Sequence, residues 1–395
     1  MLTTFTAPAF AKTWYIEDGD ITISASETKG TNKVSQGAEP EVEDTGTIIT
    51  NREKDASSHT VTINAGNDKV EVTLDNVNIK ADSGSALISK GDVTLTLKGD
   101  NHLTGGNGGS SSYGGDGITS SGSLTISGGT VTATGGDSTS SVGSGGSGIY
   151  SVSGDVTISG GTVNANGGDG KNGSGGGSGI DSSGGVTVSG GYGISSSGVA
   201  ISGGTVTANG GDGGSGSGSH GGNGIYSSGG VTISSGSTVT ANGGDGEDGS
   251  GGRGITSNGG VTVSGGTVNA KGGSGKNGNG GDGIRSFNPV AISGGTVNAN
   301  GGNSDYSNGG DGIRSLDHVA ISGGTVKSNG GSGNLSGGNG IISYDIDLSG
   351  SLELTAKAGS PNGKALSRVG SELDLNTIKD KLDPGAKVTA TDADG

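Results

Sequence analysis

Hydrophobic positions in this chain come in short runs that alternate with polar ones. Val70-Glu71-Val72-Thr73-Leu74 and Val93-Thr94-Leu95-Thr96-Leu97 show a period of two. Val156-Thr157-Ile158 and Thr162-Val163-Asn164-Ala165 repeat it further along. Alternation in Val, Ile, Leu and Thr, bounded by Gly and Ser, predicts β-strands with one buried face. In the middle of the chain each run is too short to bury that face alone, so burial must come from stacking.

The runs recur at a fixed interval. Gly-Ile appears with isoleucine at Ile118, Ile149, Ile180, Ile194, Ile225, Ile255, Ile284, Ile313 and Ile341, in steps of 31, 31, 14, 31, 30, 29, 29 and 28. One full step holds Gly148 to Gly154, then Val156-Thr157-Ile158-Ser159, Gly160-Gly161, Thr162-Val163-Asn164-Ala165 and a glycine-rich loop. A period near 30 predicts a solenoid. The expected fold is all-β: a single right-handed parallel β-helix with three short strands per coil and Gly-rich loops on one side. The hand follows the rule for parallel crossovers. Ile149, Val156, Ile158, Val163, Ala165 and their equivalents should line the interior, with rungs roughly 4.8 Å apart. The nine isoleucines are expected to form one ladder. The 14-residue step lacks the third strand and its loop, so it predicts a truncated coil or a kink.

Four segments follow. Residues 1–11 end in Ala9-Phe10-Ala11, the small-x-small pattern of a secretory cleavage site, and read as the remnant of a signal peptide. Residues 12–103 are more charged and read as an N-terminal cap with irregular first coils, including an excursion over 33–60 around Pro40. Residues 104–359 are the regular repeats. Residues 360–395 are a C-terminal cap or tail, with a short helix expected from Leu373 to Leu382 and stopped by Pro384-Gly385. A solenoid needs such caps. The expected location is outside the cell, secreted or on the surface.

Composition changes the picture in two ways. Glycine accounts for 94 of 395 residues and apolar types for only 27%. That composition alone would read as disorder, and only the repeat overturns it. There is no cysteine, which excludes disulfides and zinc–thiolate sites. The net charge of −16 argues against nucleic acid or an anionic membrane as a general partner. No apolar stretch is long enough to span a bilayer, so no membrane insertion is expected.

The stretch Val70 to Gly106, VEVTLDNVNIKADSGSALISKGDVTLTLKGDNHLTGG, resembles the opening coils of the carbohydrate-binding β-helix domain of secreted clostridial proteins. The recurring phrase at Leu124 to Gly136 and Val231 to Gly244 resembles repeats of the same group and of surface adhesins of gut Firmicutes. The likeness covers about residues 12 to 360. It implies a secreted right-handed β-helix, pectate-lyase-like in shape, that binds plant-type polysaccharide with calcium. It carries no short catalytic signature onto this chain, and the long Gly-rich loops depart from the family pattern.

Three constellations are candidates for chemistry. Asp137, Asp169, Asp212 and Asp245 each follow Gly-Gly after the third strand, and Asp116, Asp282 and Asp311 precede Gly-Ile. Stacked carboxylates repel by roughly 1 kcal/mol per pair even in water, a cost that calcium would remove. The other reading is that Asp favours a turn beside glycine. The residue after each Gly-Ile points outward and reads Thr119, Tyr150, Asp181, Ser195, Tyr226, Thr256, Arg285, Arg314 and Ile342. Tyr150 and Tyr226 would stack on sugar rings, and Arg285 and Arg314 would bind successive carboxylates. The other reading is outward decoration, with Asp282 and Asp311 neutralising the arginines. An outward threonine array, Thr130/Thr132 and its equivalents, is the third candidate and suits ice binding, though Asn and Lys interrupt it. The asparagines Asn166, Asn209, Asn242, Asn300 and Asn329 read as turn residues with left-handed backbone.

The sequence thus predicts a secreted, non-catalytic, monomeric polysaccharide-binding protein. The alternatives are a structural surface adhesin and a polysaccharide lyase in which Arg285 or Arg314 serves as base.

Overall fold

The computed structural model describes residues 11–109, 113–139, 143–171, 174–182, 185–189, 198–216, 218–369, 373 and 378–393. Statements below concern these described residues.

The alternating runs form parallel strands that stack on their own equivalents in a β-solenoid of about ten turns. One coil consists of Ile149–Ser153, Asp155–Ser159 and Thr162–Asn166. Their rungs are Ile118↔Ile149↔Ile180, Leu124↔Val156↔Val186 and Val131↔Val163↔Val206. Three parallel sheets result. In later coils the second and third strands join into one bent strand, as in Val290–Asn300.

Ile149, Val156, Ile158, Val163 and Ala165 are all at most 1% exposed. They belong to one core that runs from Trp14 to Ile378. Each buried Val or Ile contributes about 1.5–3 kcal/mol. A thin interior of four such side chains and an alanine per coil therefore suffices when every coil covers the next. The third residue of the first strand is also turned inward. Ser120, Ser151, Ser227, Ser257, Ser286 and Ser343 are fully buried. Several of these hydroxyls donate to the corner carbonyls that follow, as Ser151 does to Gly154 and Ser257 to Gly260. Burial without such a partner would cost free energy.

The isoleucine ladder has eight members rather than nine. Ile180 pairs directly with Ile225, and Ile194 lies outside the described residues. The third sheet likewise passes straight from Val163 to Val206. The second sheet instead holds an extra rung, with Val186 paired to Val199 and Val199 to Val231. Among the described residues the 14-residue step is thus a truncated coil: it adds one strand to one sheet of three.

Glycine forms the fourth wall. Each loop leaves through a Gly-Gly pair and returns through another, and the two limbs are bonded to each other. Gly136 accepts from Gly146, which accepts from Gly168, which accepts from Gly177. The pattern continues as an unbroken chain of seventeen backbone N–H···O bonds of 2.7–2.9 Å from Gly84 to Gly359. A Cβ at Gly252 would fall on the carbonyl of Gly222. Close approach of backbone to backbone, not turn conformation, is what requires glycine at these pairs.

The asparagines correct a further expectation. Asn166, Asn209 and Asn242 end the third strands, and among the described residues only Asn76 and Asn362 are non-glycine residues with positive φ. Their amides stack instead: Asn209 Nδ2 donates to Asn166 Oδ1 at 2.9 Å and Asn242 Nδ2 to Asn209 Oδ1 at 2.8 Å.

At the front, Ile21–Ala25, Asn32–Gln36 and Val42–Asp44 pair antiparallel, and Ile21–Ala25 joins the solenoid by parallel pairing with Val61 to Asn64. The excursion around Pro40 is therefore an antiparallel ribbon laid over the first rung. Trp14 is buried, and its indole N–H donates to Asp44 at 2.7 Å. At the back, Leu366–Arg368 and Lys387–Thr391 are the last described rungs. Of the expected helix, Ile378 and Lys379 are helical and residues 374–377 lie outside the description, as do residues 1–10 of the signal segment.

Candidate functional site

The paired limbs of each loop project from the solenoid as a stacked ridge with two different sides. The outgoing side carries the Asp row and abuts the third strands. The returning side faces the outward residues of the first strands.

On the outgoing side, Asp137, Asp169, Asp212, Asp245 and Ser274 border an open groove of about 690 Å³, together with Lys171 and Lys276. The carboxylates have a defined use. Oδ1 of Asn107, Asp137, Asp169, Asp212 and Asp245 accepts in turn from the backbone N–H of Asp137, Asp169, Asp212, Asp245 and Ser274, at 2.6–3.0 Å. Each side chain thus caps the same position one rung on. Burial, against the opposing bond from Asp245, raises the Asp212 carboxyl above its ordinary value, as do the charges of Asp169 and Asp245. Calcium takes six to eight oxygen ligands. These carboxylates come one per rung, and among the described residues no group of three or more His, Cys, Asp or Glu converges where a metal ion could sit. One oxygen of each of these aspartates is taken by a backbone N–H, so a calcium ion on this row would be held by the remaining Oδ2 atoms and loop carbonyls.

On the returning side the outward row is in the expected order. Tyr150 pairs with Asp181, Asp181 with Tyr226, Tyr226 with Thr256, Thr256 with Arg285 and Arg285 with Arg314. Ser195 lies outside the described residues. The four expected ligand residues do share one face, but not one spot. Asp181 separates the tyrosines and Thr256 separates Tyr226 from the arginines. Asp181 is pushed up to about 6, by burial first and then by Asp116.

The arginine end is a built pocket of about 360 Å³. It contains a residue that spacing alone did not single out. Arg253 stands in the position before Gly-Ile where Asp282 and Asp311 stand in the next two coils. There its Nε lies 3.6 Å from Asp282 Oδ2, and Arg285 Nη1 approaches the same oxygen at 3.6 Å. Arg314 Nη1 donates to Asp311 Oδ2 at 3.3 Å. Asp282 and Asp311 are only 6% and 5% exposed, and Asp282 Oδ1 accepts from the Asp311 N–H at 2.9 Å. The decoration reading of the arginines is thus half right, since each has its aspartate. Three arginines nevertheless face two carboxylates, a surplus of 3 − 2 = 1 positive charge among these five groups.

Burial marks these groups further. Nε of Arg285 and of Arg314 are buried without a hydrogen-bond partner. Burial pushes the Arg285 guanidinium below its ordinary range, with the charge of Arg253 as the next cause. Burial and then Asp282 push Asp311 up to about 6. An anion in the pocket would offset the crowding of positive charge.

A second feature escaped the sequence reading. At the corner just past the first strand, Phe287, Leu316, Tyr344 and Val369 occupy the same place in four successive coils. The amides of Phe287, Leu316 and Val369 each donate to the buried serine of the preceding coil, Ser257, Ser286 and Ser343. All four side chains are exposed, at 45%, 36%, 57% and 46%. The Arg285 guanidinium lies 5.4 Å from the Phe287 ring centre, so the stripe borders the arginine pocket. The available signal was the corner residue after Ile-x-Ser, which is Ser or Asn in several earlier coils and apolar in these.

No family model, curated protein or solved structure matches the chain.

Proposed function

We propose that the protein is a non-catalytic polysaccharide-binding β-helix whose ligand is an acidic glycan of the plant cell-wall type, held along the returning side of the ridge. The observation that carries this reading is the Arg253, Arg285 and Arg314 pocket, with its positive surplus in a chain of net charge −16. Arg285 and Arg314 sit on adjacent rungs, roughly 4.8 Å apart, close to the rise of one sugar residue. A chain lying along the solenoid axis would present successive carboxylates to them. Long-range repulsion from the acidic surface opposes a polyanion, so affinity rests on these local groups. Tyr150 and Tyr226 would meet only a longer chain, several rungs away. An extracellular location, secreted or at the cell surface, is part of the same proposal, and the protein acts as a monomer in it.

One observation favours a second reading, that of a polysaccharide lyase. The direction of the Arg285 shift is the one a catalytic base would need. The test therefore reads binding and cleavage together. Polygalacturonate is titrated against the wild type and the Arg285→Gln/Arg314→Gln double variant, with unsaturated products followed in parallel. Loss of binding in the variant, with no product from the wild type, supports the proposal. Product formation moves the assignment to a lyase, and unchanged binding in the variant removes the pocket from it. Attachment to host cells that survives removal of surface glycans would instead favour a structural adhesin.

A further inference from the structure

The apolar stripe has no structural duty that would keep it exposed. Its equivalents in other coils include Ser121, Ser228 and Asn258, so the corner tolerates polar residues. Exposed apolar side chains scattered singly need no explanation, but a contiguous row does. Val152 is a single exposed apolar residue at this place in an earlier coil, but a contiguous row occurs in the coils that begin at Ile284, Ile313, Ile341 and Leu366. The first two of these also carry Arg285 and Arg314, and the next carries Ile342 in the arginine position.

On the acidic-glycan reading above, we infer that Phe287, Leu316, Tyr344 and Val369 are a stacking platform for the faces of successive sugar rings. A pyranose ring offers an apolar C–H face and a polar edge. With its face on Phe287, a uronate ring would turn its edge toward the guanidinium beside that ring. Leu316 and Arg314 stand at the same two positions one coil on. Beyond Arg314 the arginine position becomes Ile342, so recognition there rests on ring faces alone. The platform therefore takes an extended chain with at least two adjacent uronates at one end, and it has no need of charge at the other. Its three steps span roughly 14 Å at the strand spacing, which accommodates about four sugars.

The probes are oligogalacturonates from dimer to hexamer, titrated by calorimetry. Affinity should climb from dimer to tetramer and then flatten. The Phe287→Ala/Tyr344→Ala variant should bind the tetramer at least about tenfold more weakly, a loss of about 1.4 kcal/mol, with an unchanged melting temperature. Phe287→Tyr should bind as the wild type does, and Phe287→Leu, which keeps apolar bulk without a ring, should lose part of the affinity. If the alanine variant binds the tetramer as tightly as the wild type while the arginine variant does not, the platform is wrong and the arginine site stands. Affinity that does not change between dimer and tetramer has the same meaning. If the wild type binds none of the series, both readings fall.

Discussion

The glycine wall makes a sharp demand on single atoms. Gly252 N–H donates to Gly244 and its carbonyl accepts from Gly273, both at 2.8 Å, while Gly244 donates to Gly222 at 2.9 Å. In Gly252→Ala the added methyl would land on the Gly222 carbonyl, where the nearest atoms are backbone and cannot swing away. The returning limb must move off its neighbour, and the bonds Gly252–Gly244 and Gly244–Gly222 go with it. Overpacking of this kind costs about 1–3 kcal/mol, and each buried backbone group left without a partner about 1–3 kcal/mol more. A total of about 2–9 kcal/mol follows if one or two groups lose their partners. Gly230 is the control. It lies in a strand without positive φ, and a Cβ there would find its nearest neighbour at 3.6 Å. Gly230→Ala should change stability by less than about 0.5 kcal/mol. Urea unfolding followed by circular dichroism gives the comparison. Because solenoid stability is built from neighbouring coils, amide exchange in Gly252→Ala should accelerate around Gly222, Gly244 and Gly273 and stay slow near Gly84. Equal midpoints for the two variants would refute the claim that the wall is a packed, load-sharing element.

Three further outcomes are expected. Asp181 and Asp311 are both raised to about 6, so the folded chain holds these protons more tightly than the unfolded chain, whose carboxyls titrate near 3.9. The stabilisation they lend is full below about pH 4 and is lost as pH rises through about 6. Calorimetric melting should thus decline from pH 5 to pH 7.5, and Asp181→Asn/Asp311→Asn should flatten that decline. Replacing the fully buried Ile225 by Asp puts an unpaired carboxylate in the core at a cost of several kcal/mol, and exchange protection should vanish from the coils on either side. Millimolar calcium should leave the melting temperature where chelator leaves it, because Oδ1 of Asp137, Asp169, Asp212 and Asp245 already accepts a backbone N–H and the carboxylates come one per rung. A calcium-dependent rise would show that the row binds the ion, since ligand binding to the native state stabilises it.

The coil was legible because its cause is local and periodic. Alternation around Val156 and Val163 fixes which side faces in, and the Gly-Ile spacing fixes which rung meets which. The outward row from Tyr150 to Arg314 followed from the same arithmetic. What stayed hidden depends on contacts between limbs. The glycine pairs read as loop material because nothing in Gly-Gly says that two backbones will touch. The asparagines read as turn formers because an amide ladder exists only once rungs are stacked. At the 14-residue step, spacing showed that something was missing from a coil, but the choice of sheet for Val199 depends on pairing. Arg253 was hidden for a related reason. Its position belongs to an Asp, Ser and Asn series, and only the fold brings it beside Asp282 and Arg285. The corner stripe of Phe287, Leu316, Tyr344 and Val369 lies one place beyond the run whose alternation was being read.

The central functional claim is that the Arg253, Arg285 and Arg314 pocket recognises carboxylates on a glycan. The most direct measurement compares polygalacturonate with the same polymer after its carboxyl groups have been reduced to alcohols, at matched chain length and two salt concentrations. Binding that is strong for the acid form, weakens with salt and is lost on reduction is the predicted result. Equal binding of the acidic and the reduced polymer would contradict it.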